Sequence, residues 1–183
     1  STTAAGGLEY PQLVSDREGG VIITWGDRRN GKDNEDIYAQ RVDASGTALW
    51  ATNGVPICSA GYTQRSPQLV SDEVGGAIIA WDDFRTVPSG IYAQRVDASG
   101  SVQWTTNGVP ICTAAGGQGA TQLVSDGVSG AIIMWRDGRN GNNNGDIYVQ
   151  RVDASGTMLW TADGIPIVIE PYLQASYIVS DRS

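Results

Sequence analysis

The chain has 183 residues, 40% of them hydrophobic, with a formal net charge of −8 and no histidine. That size suits one packed domain or one piece of a repeat array, and no apolar run reaches the roughly 20 residues that span a bilayer. With no such run no membrane insertion is expected, the negative charge disfavours a nucleic-acid backbone or an anionic membrane as partner, and the lack of histidine removes Ser-His-Asp and Cys-His nucleophiles and histidine-based zinc sites.

Internal repetition organises everything else. Gln12, Gln68 and Gln122 head equivalent segments 56 and then 54 residues apart, and Trp25, Trp81 and Trp135 keep the same intervals. Trp50, Trp104 and Trp160 recur towards the end of each copy. Residues 37–46 (IYAQRVDASG) are identical to residues 91–100, and residues 147–156 differ only at Val149.

In chain order, residues 1–10 read as the end of a preceding repeat, because TAAGG at 3–7 returns at 113–117. Residues 11–66 form a first blade, 67–120 a second and 121–175 a third. Residues 176–183 carry the first strand of a following blade, YIVSD at 177–181. In the middle copy the pattern predicts strands over 68–71, 77–81 and 91–97. The second is a short apolar run, and the third alternates Ile91, Ala93 and Arg95 with Tyr92, Gln94 and Val96. Ala98-Ser99-Gly100 turns a hairpin, a fourth strand starts at 101–104, and 109–112 is extended again after a turn at Thr106-Asn107-Gly108. No segment keeps a 3.6-residue period, so no helix is expected. The fold expected is all-β: a β-propeller-type array of four-stranded antiparallel blades, three complete repeats with partial repeats at both ends. Three such blades leave a ring open, so further blades in cis or self-association in trans would complete it. A parallel β-helix is the rival, with coils usually shorter than these.

Three sets of residues are candidates for chemistry. The motif W-x-D-x-R ends the second strand of each copy: Trp25, Asp27, Arg29; Trp81, Asp83, Arg85; Trp135, Asp137, Arg139. As a ligand site, Trp would stack on a sugar while Asp and Arg bind its hydroxyls or a carboxylate. As structure, Trp would be buried between blades, Asp would cap the turn and Arg would pair with an acid. Presence in every copy favours structure. The loops after the second strand hold a second set, Asp33, Glu35 and Asp36, then Asn142, Asn144 and Asp146. These are hard oxygen ligands, and Ca²⁺ is the cation they would take; the same residues also make tight turns. The middle copy has none of them at 86–90. The third set is Cys58 and Cys112, at the same repeat position, with Val168 in the last copy. Equivalent points on neighbouring repeats fall outside the ~7 Å reach of a disulfide, so a buried apolar role is expected. No other cofactor is implied, and no glutamate recurs in register as a catalytic acid would.

The combination PQLVSD, GG-x-I-I-x-W-x-D-x-R and DIYAQRVDASG-x-x-x-W resembles the repeats of secreted or surface-attached bacterial propeller proteins. The hairpin is also distantly similar to the Asp-box of sialidase-type propellers, S-x-D-x-G-x-x-W, but two residues separate Asp43 from Gly46, and Trp50 stands four beyond the glycine. No sialidase catalytic residue carries over. The resemblance implies an extracellular or cell-surface structural and binding module, its partner a glycan or a surface protein. The alternative is part of a sialidase-type glycoside hydrolase.

Overall fold

A computed structural model describes residues 7–31, 33–141 and 145–169. These residues form three antiparallel four-stranded sheets, the propeller-like blades expected. The first blade is β1 (Leu8–Ser15), β2 (Val21–Asp27), β3 (Asp36–Val42) and β4 (Val55–Cys58). The second is β5 (Gln64–Ser71), β6 (Ala77–Asp83), β7 (Gly90–Val96) and β8 (Val109–Cys112). The third is β9 (Gln118–Ser125), β10 (Ala131–Asp137), β11 (Asp146–Val152) and β12 (Ile165–Val168). Each sheet runs in chain order from first strand to fourth. First strands pack on one another, β1 on β5 and β5 on β9, so they line the inside of the fan. Among the described residues β1 and β9 make no comparable approach, and the array is open.

The structure corrects two boundaries. First strands begin four residues earlier than the pattern predicts, at Leu8, Gln64 and Gln118. Each runs through a bulge, as between Arg65 and Gln68, with Tyr10, Ser66 and Ala120 at φ of 52°, 55° and 54°. A bulge leaves one residue out of the ladder, so Pro11 and Pro67, which lack an N–H, do not end the strand. The fourth strand is not Ser101–Trp104 but β8. The earlier segment makes a single bridge, Val96 to Val102. Gln94 explains why: its Oε1 accepts from the N–H groups of Arg95 and Trp104, both at 2.9 Å, and its Nε2 donates to the Thr105 carbonyl at 2.9 Å. One buried side chain thus replaces the ladder until Val109 resumes it.

Blades are held face to face. Ile22, Ile37, Ala39, Trp50, Ile57 and Cys58 of the first meet Ala77, Ile79, Trp81 and Val96 of the second. Matching residues join the second blade to the third. All seven residues of β6 are buried, because both its faces have a neighbour. The tryptophan of one blade also caps the next: Trp50 Nε1 donates to the Ala98 carbonyl at 3.0 Å, and Trp104 Nε1 to Ala154 at 3.1 Å.

That cap separates three glycines of identical local conformation. Gly46, Gly100 and Gly156 head the same hairpin at φ of 85°, 89° and 89°. A Cβ on Gly46 would meet nothing within 4 Å, whereas one on Gly100 would lie 2.8 Å from the Trp50 ring. Gly46→Ala should cost only the left-handed backbone penalty, about 1–2 kcal/mol. Gly100→Ala should cost a further 1–3 kcal/mol or so of overpacking. Urea denaturation of both variants checks this, and equal losses would reject the cap.

Candidate functional site

The repeated motif forms the same polar chain three times. Trp81 Nε1 donates to Asp83 at 2.8 Å, and Arg85 donates to Asp83 at 2.5 Å and to the Asn107 carbonyl at 2.9 Å. The Arg85 guanidinium lies over Tyr92, 4.0 Å from the ring centroid. Trp135, Asp137 and Arg139 repeat this with the Asp163 carbonyl and Tyr148, and Trp25, Asp27 and Arg29 with the Asn53 carbonyl and Tyr38. The three aspartates are fully buried, as are Trp81 and Trp135. Burial opposes the charge on Asp27 and Asp137, yet hydrogen bonds from the Arg and Trp of each motif outweigh it and hold both carboxyls below the ordinary value. The ring tip of Trp81 sits against Gly108, where a Cβ would come within 2.5 Å. No ring face of Trp81 or Trp135 is open to a sugar. Trp25 is half-buried, and its open flank matches the face of Trp81 that the neighbouring blade covers.

Arginine also reaches the cysteines. Arg85 Nη2 lies 3.2 Å from Cys58 Sγ of the preceding blade, and Arg139 lies 3.3 Å from Cys112. Both thiols are free and buried, and burial pushes them up to about 11 and about 12. They are packing groups, not thiolates.

In the loops after the second strands, Asn30 donates to Asp36 at 2.6 Å and Asn140 to Asp146 at 2.7 Å. The Asp33 carbonyl accepts from Thr63, and Glu35 pairs with Arg28 at 3.2 Å. Among the described residues no group of three or more acids or cysteines is placed to hold a metal ion. Asn142 and Asn144 lie outside the described residues. Asp36 faces Asp27 directly across β2 and β3, with Oδ1 buried and unpartnered.

Outside the shared motif, the functional candidates lie where the copies differ. At the position between Trp and Asp stand Gly26, Asp82 and Arg136; between Asp and Arg stand Arg28, Phe84 and Gly138. The second residue of each first strand is Glu9, Arg65 or Gly119. All lie at the end of the blades where first strands begin and second strands finish. In the first blade Arg28 bridges Glu9 at 2.8 Å and Glu35. Burial holds Glu35 above the ordinary carboxylate range despite Arg28, and its Oε1 is buried without a partner. In the second, Asp82 accepts from Thr121 Oγ1 of the third blade at 2.7 Å, and Arg65 lies over Phe84 at 4.4 Å. Between the second and third blades this end opens into a cavity of about 410 Å³. The signal was present in the sequence as side chains that break an otherwise strict repeat.

No family model and no curated protein matches the chain. Solved structures do. An endo-arabinase from Bacteroides thetaiotaomicron aligns over 93% of this chain and 66% of its own, at 16% identity and a TM-score of 0.56. An α-L-arabinanase from Penicillium chrysogenum aligns over 79% and 42%, at 13% identity and a TM-score of 0.43. The chain therefore spans less than two thirds of either protein. The first likeness shows the fold: an all-β array of propeller blades.

Burial is the main reason the Asp36 carboxyl sits above its ordinary value, with the Asn30 hydrogen bond opposing. A raised folded value means that ionisation opposes folding; the cost is absent in acid and grows as pH rises through the unfolded value of about 3.9. Asp36→Asn should therefore stabilise the protein at pH 7, and the gain should vanish by about pH 3. Melting temperatures of both proteins across that range check the sign; a gain independent of pH would reject it.

Proposed function

We propose that this chain is a carbohydrate-binding segment of an extracellular β-propeller, which takes its ligand at the end of the blades where the first strands begin. The observation that carries this reading is the distribution of differences. Residues that pack the blades repeat almost unchanged, while around that end charged and aromatic side chains change from copy to copy at several neighbouring positions beside a cavity; at the opposite end charge changes only within the turn at Arg17-Glu18, Glu73-Val74 and Gly127-Val128. Packing asks the same of every blade; a ligand does not. Carboxylates, guanidinium groups and a phenyl ring are the usual means of binding hydroxyls and sugar faces. The resemblance of the repeats to secreted and surface-attached proteins supports a place outside the cell. The fold is shared with an endo-arabinase, so arabinan belongs in any ligand panel.

One observation favours hydrolysis as a second reading: Glu35 is a buried carboxyl with a raised protonation range and a free oxygen, the state a general acid needs. A glycan array, run beside fluorogenic glycosides that include arabinofuranosides and sialosides, separates the two. Binding without turnover is expected. Turnover abolished by Glu35→Gln would replace binding with hydrolysis, and an array with no signal would reject the carbohydrate reading.

We also infer that further blades cover both ends of the array, in the same chain or in a second copy. Val21, Ile23, Trp25 and Val42 are half-buried, where Ala77, Ile79, Trp81 and Val96 are fully buried. Ile147, Ile167 and Val168 are exposed or half-buried, where Ile91, Ile111 and Cys112 are buried. The two free faces are thus the two halves of an interface already present twice. Light scattering on the 183-residue chain should show association, and a stable monomer at high concentration would count against it.

A further inference from the structure

The chain carries ten arginines within its described residues, and eight of them form ion pairs. Arg65 and Arg136 do not pair with an acid among the described residues. Both line the cavity between the second and third blades. Arg65 faces Asp82 across β5 and β6, so two guanidinium groups outside any ion pair share one opening with one carboxylate, which leaves a local excess of positive charge in a protein of net charge −8. The single acid lining the cavity, Asp82, already accepts from Thr121 Oγ1 and from the N–H groups of Ala120 and Thr121.

The third blade has also been emptied to make room. Where the first and second blades carry Glu9 and Arg65, it has Gly119. Nothing in the backbone requires glycine there, since its φ is not positive. Nor does space: a Cβ would lie 3.4 Å from its nearest neighbour, Asp82 Oδ2. Gly145 replaces Glu35 and Ser89, and Arg136 lies directly over it, where any Cβ would collide with the guanidinium stem. A blade built only to pack would keep a side chain at 119. The cavity volume of about 410 Å³ falls within the roughly 300–1,000 Å³ of small-ligand sites.

We propose that this cavity binds an anionic saccharide, its carboxylate taken by Arg65 and Arg136 and its hydroxyls by neighbouring polar groups; this rests on the carbohydrate reading above. Arg65 is held for the task by its stacking on Phe84, and Arg136 by its bed on Gly145. Hydroxyl partners are at hand in Ser89 and in the backbone of the glycine-rich loop at 116–119.

Calorimetry with trigalacturonate, with its neutral counterpart galactotriose and with inorganic sulfate tests this. The variants are Arg65→Gln, Arg136→Gln and Gly119→Glu. The last places in the third blade a side chain the first already carries, so folding should survive; the thermal midpoint of each variant confirms it. Trigalacturonate should bind, and each change should weaken it by about tenfold or more, the worth of one charge-assisted contact. Galactotriose should bind at least about tenfold more weakly, and added salt should weaken only the acidic sugar. Equal affinity for the two sugars would overturn the anionic preference and leave the carbohydrate reading standing. Trigalacturonate binding untouched by all three changes would remove the site. Sulfate competing as strongly as the trisaccharide would reduce the cavity to an anion pocket and overturn the saccharide. No binding of either sugar would overturn this inference, while the carbohydrate reading stands or falls on the glycan array.

Discussion

Everything in this array depends on one constraint: a blade cannot bury its two apolar faces by itself. The middle strand shows the satisfied state. Each residue of β6 is buried because a sheet lies on either side. The same sequence pattern in β2 and β10 leaves alternate residues half-buried, each on the face that lacks a neighbour. Apolar burial is worth about 25 cal/mol per Å², so most of the stability of a blade resides in its interfaces rather than within its own sheet. That is the nearest-neighbour energetics of repeat proteins, and it makes the packing residues the least free to change.

Polar groups lock the geometry that apolar burial only favours. Near one end of the blades the Trp-Asp-Arg chain fixes the end of the second strand to the turn before the fourth. At the other end Asp72, which turns the first strand into the second, accepts the N–H groups of Val74 and Gly76 and pairs with Arg95 of the third strand at 2.8 Å. Arg95 then reaches the Ala154 carbonyl of the next blade at 3.2 Å. Buried ion pairs add little net stability, but each here satisfies several backbone groups whose burial would otherwise be costly. Arginine suits the role because its planar fork bonds in two directions while its face lies on Tyr92.

The sequence made the fold legible because repetition multiplied every weak signal. One short apolar run such as Ala77–Trp81 is ambiguous; three at a fixed interval, each followed by an alternating strand and a D-A-S-G hairpin, are not. The fourth strand misled for a specific reason: Trp104 stands where a ladder residue would, but the Gln94 side chain takes its N–H. A local pattern cannot reveal that exchange. The candidate site was less legible, since a repeat displays what its copies share and hides what they do not. Trp81, Asp83 and Arg85 recur because they pack, while Arg65, Asp82, Phe84 and Arg136 were overlooked because each occurs once in its position.

The end of the blades where the copies diverge can vary because its space is filled interchangeably. In the first blade Glu35, at the threshold of β3, lies over Gly26 of β2. In the third blade the exchange is reversed, and Arg136 of β10 lies over Gly145 at the threshold of β11. The second blade carries Asp82 and Ser89 at the two positions, bonded to Thr121 and to the Gln118 carbonyl of the third blade. Gly26 and Arg136 occupy the same position, as do Glu35 and Gly145, so one volume holds an acid in one copy and a base in another. Meanwhile Trp25 and Trp135, one residue away, keep their bonds to Asp27 and Asp137 at 3.0 and 2.8 Å. The charge at this end is thereby uncoupled from the packing behind it. A repeat protein with that property can present a different surface on every blade while solving the problem of folding only once.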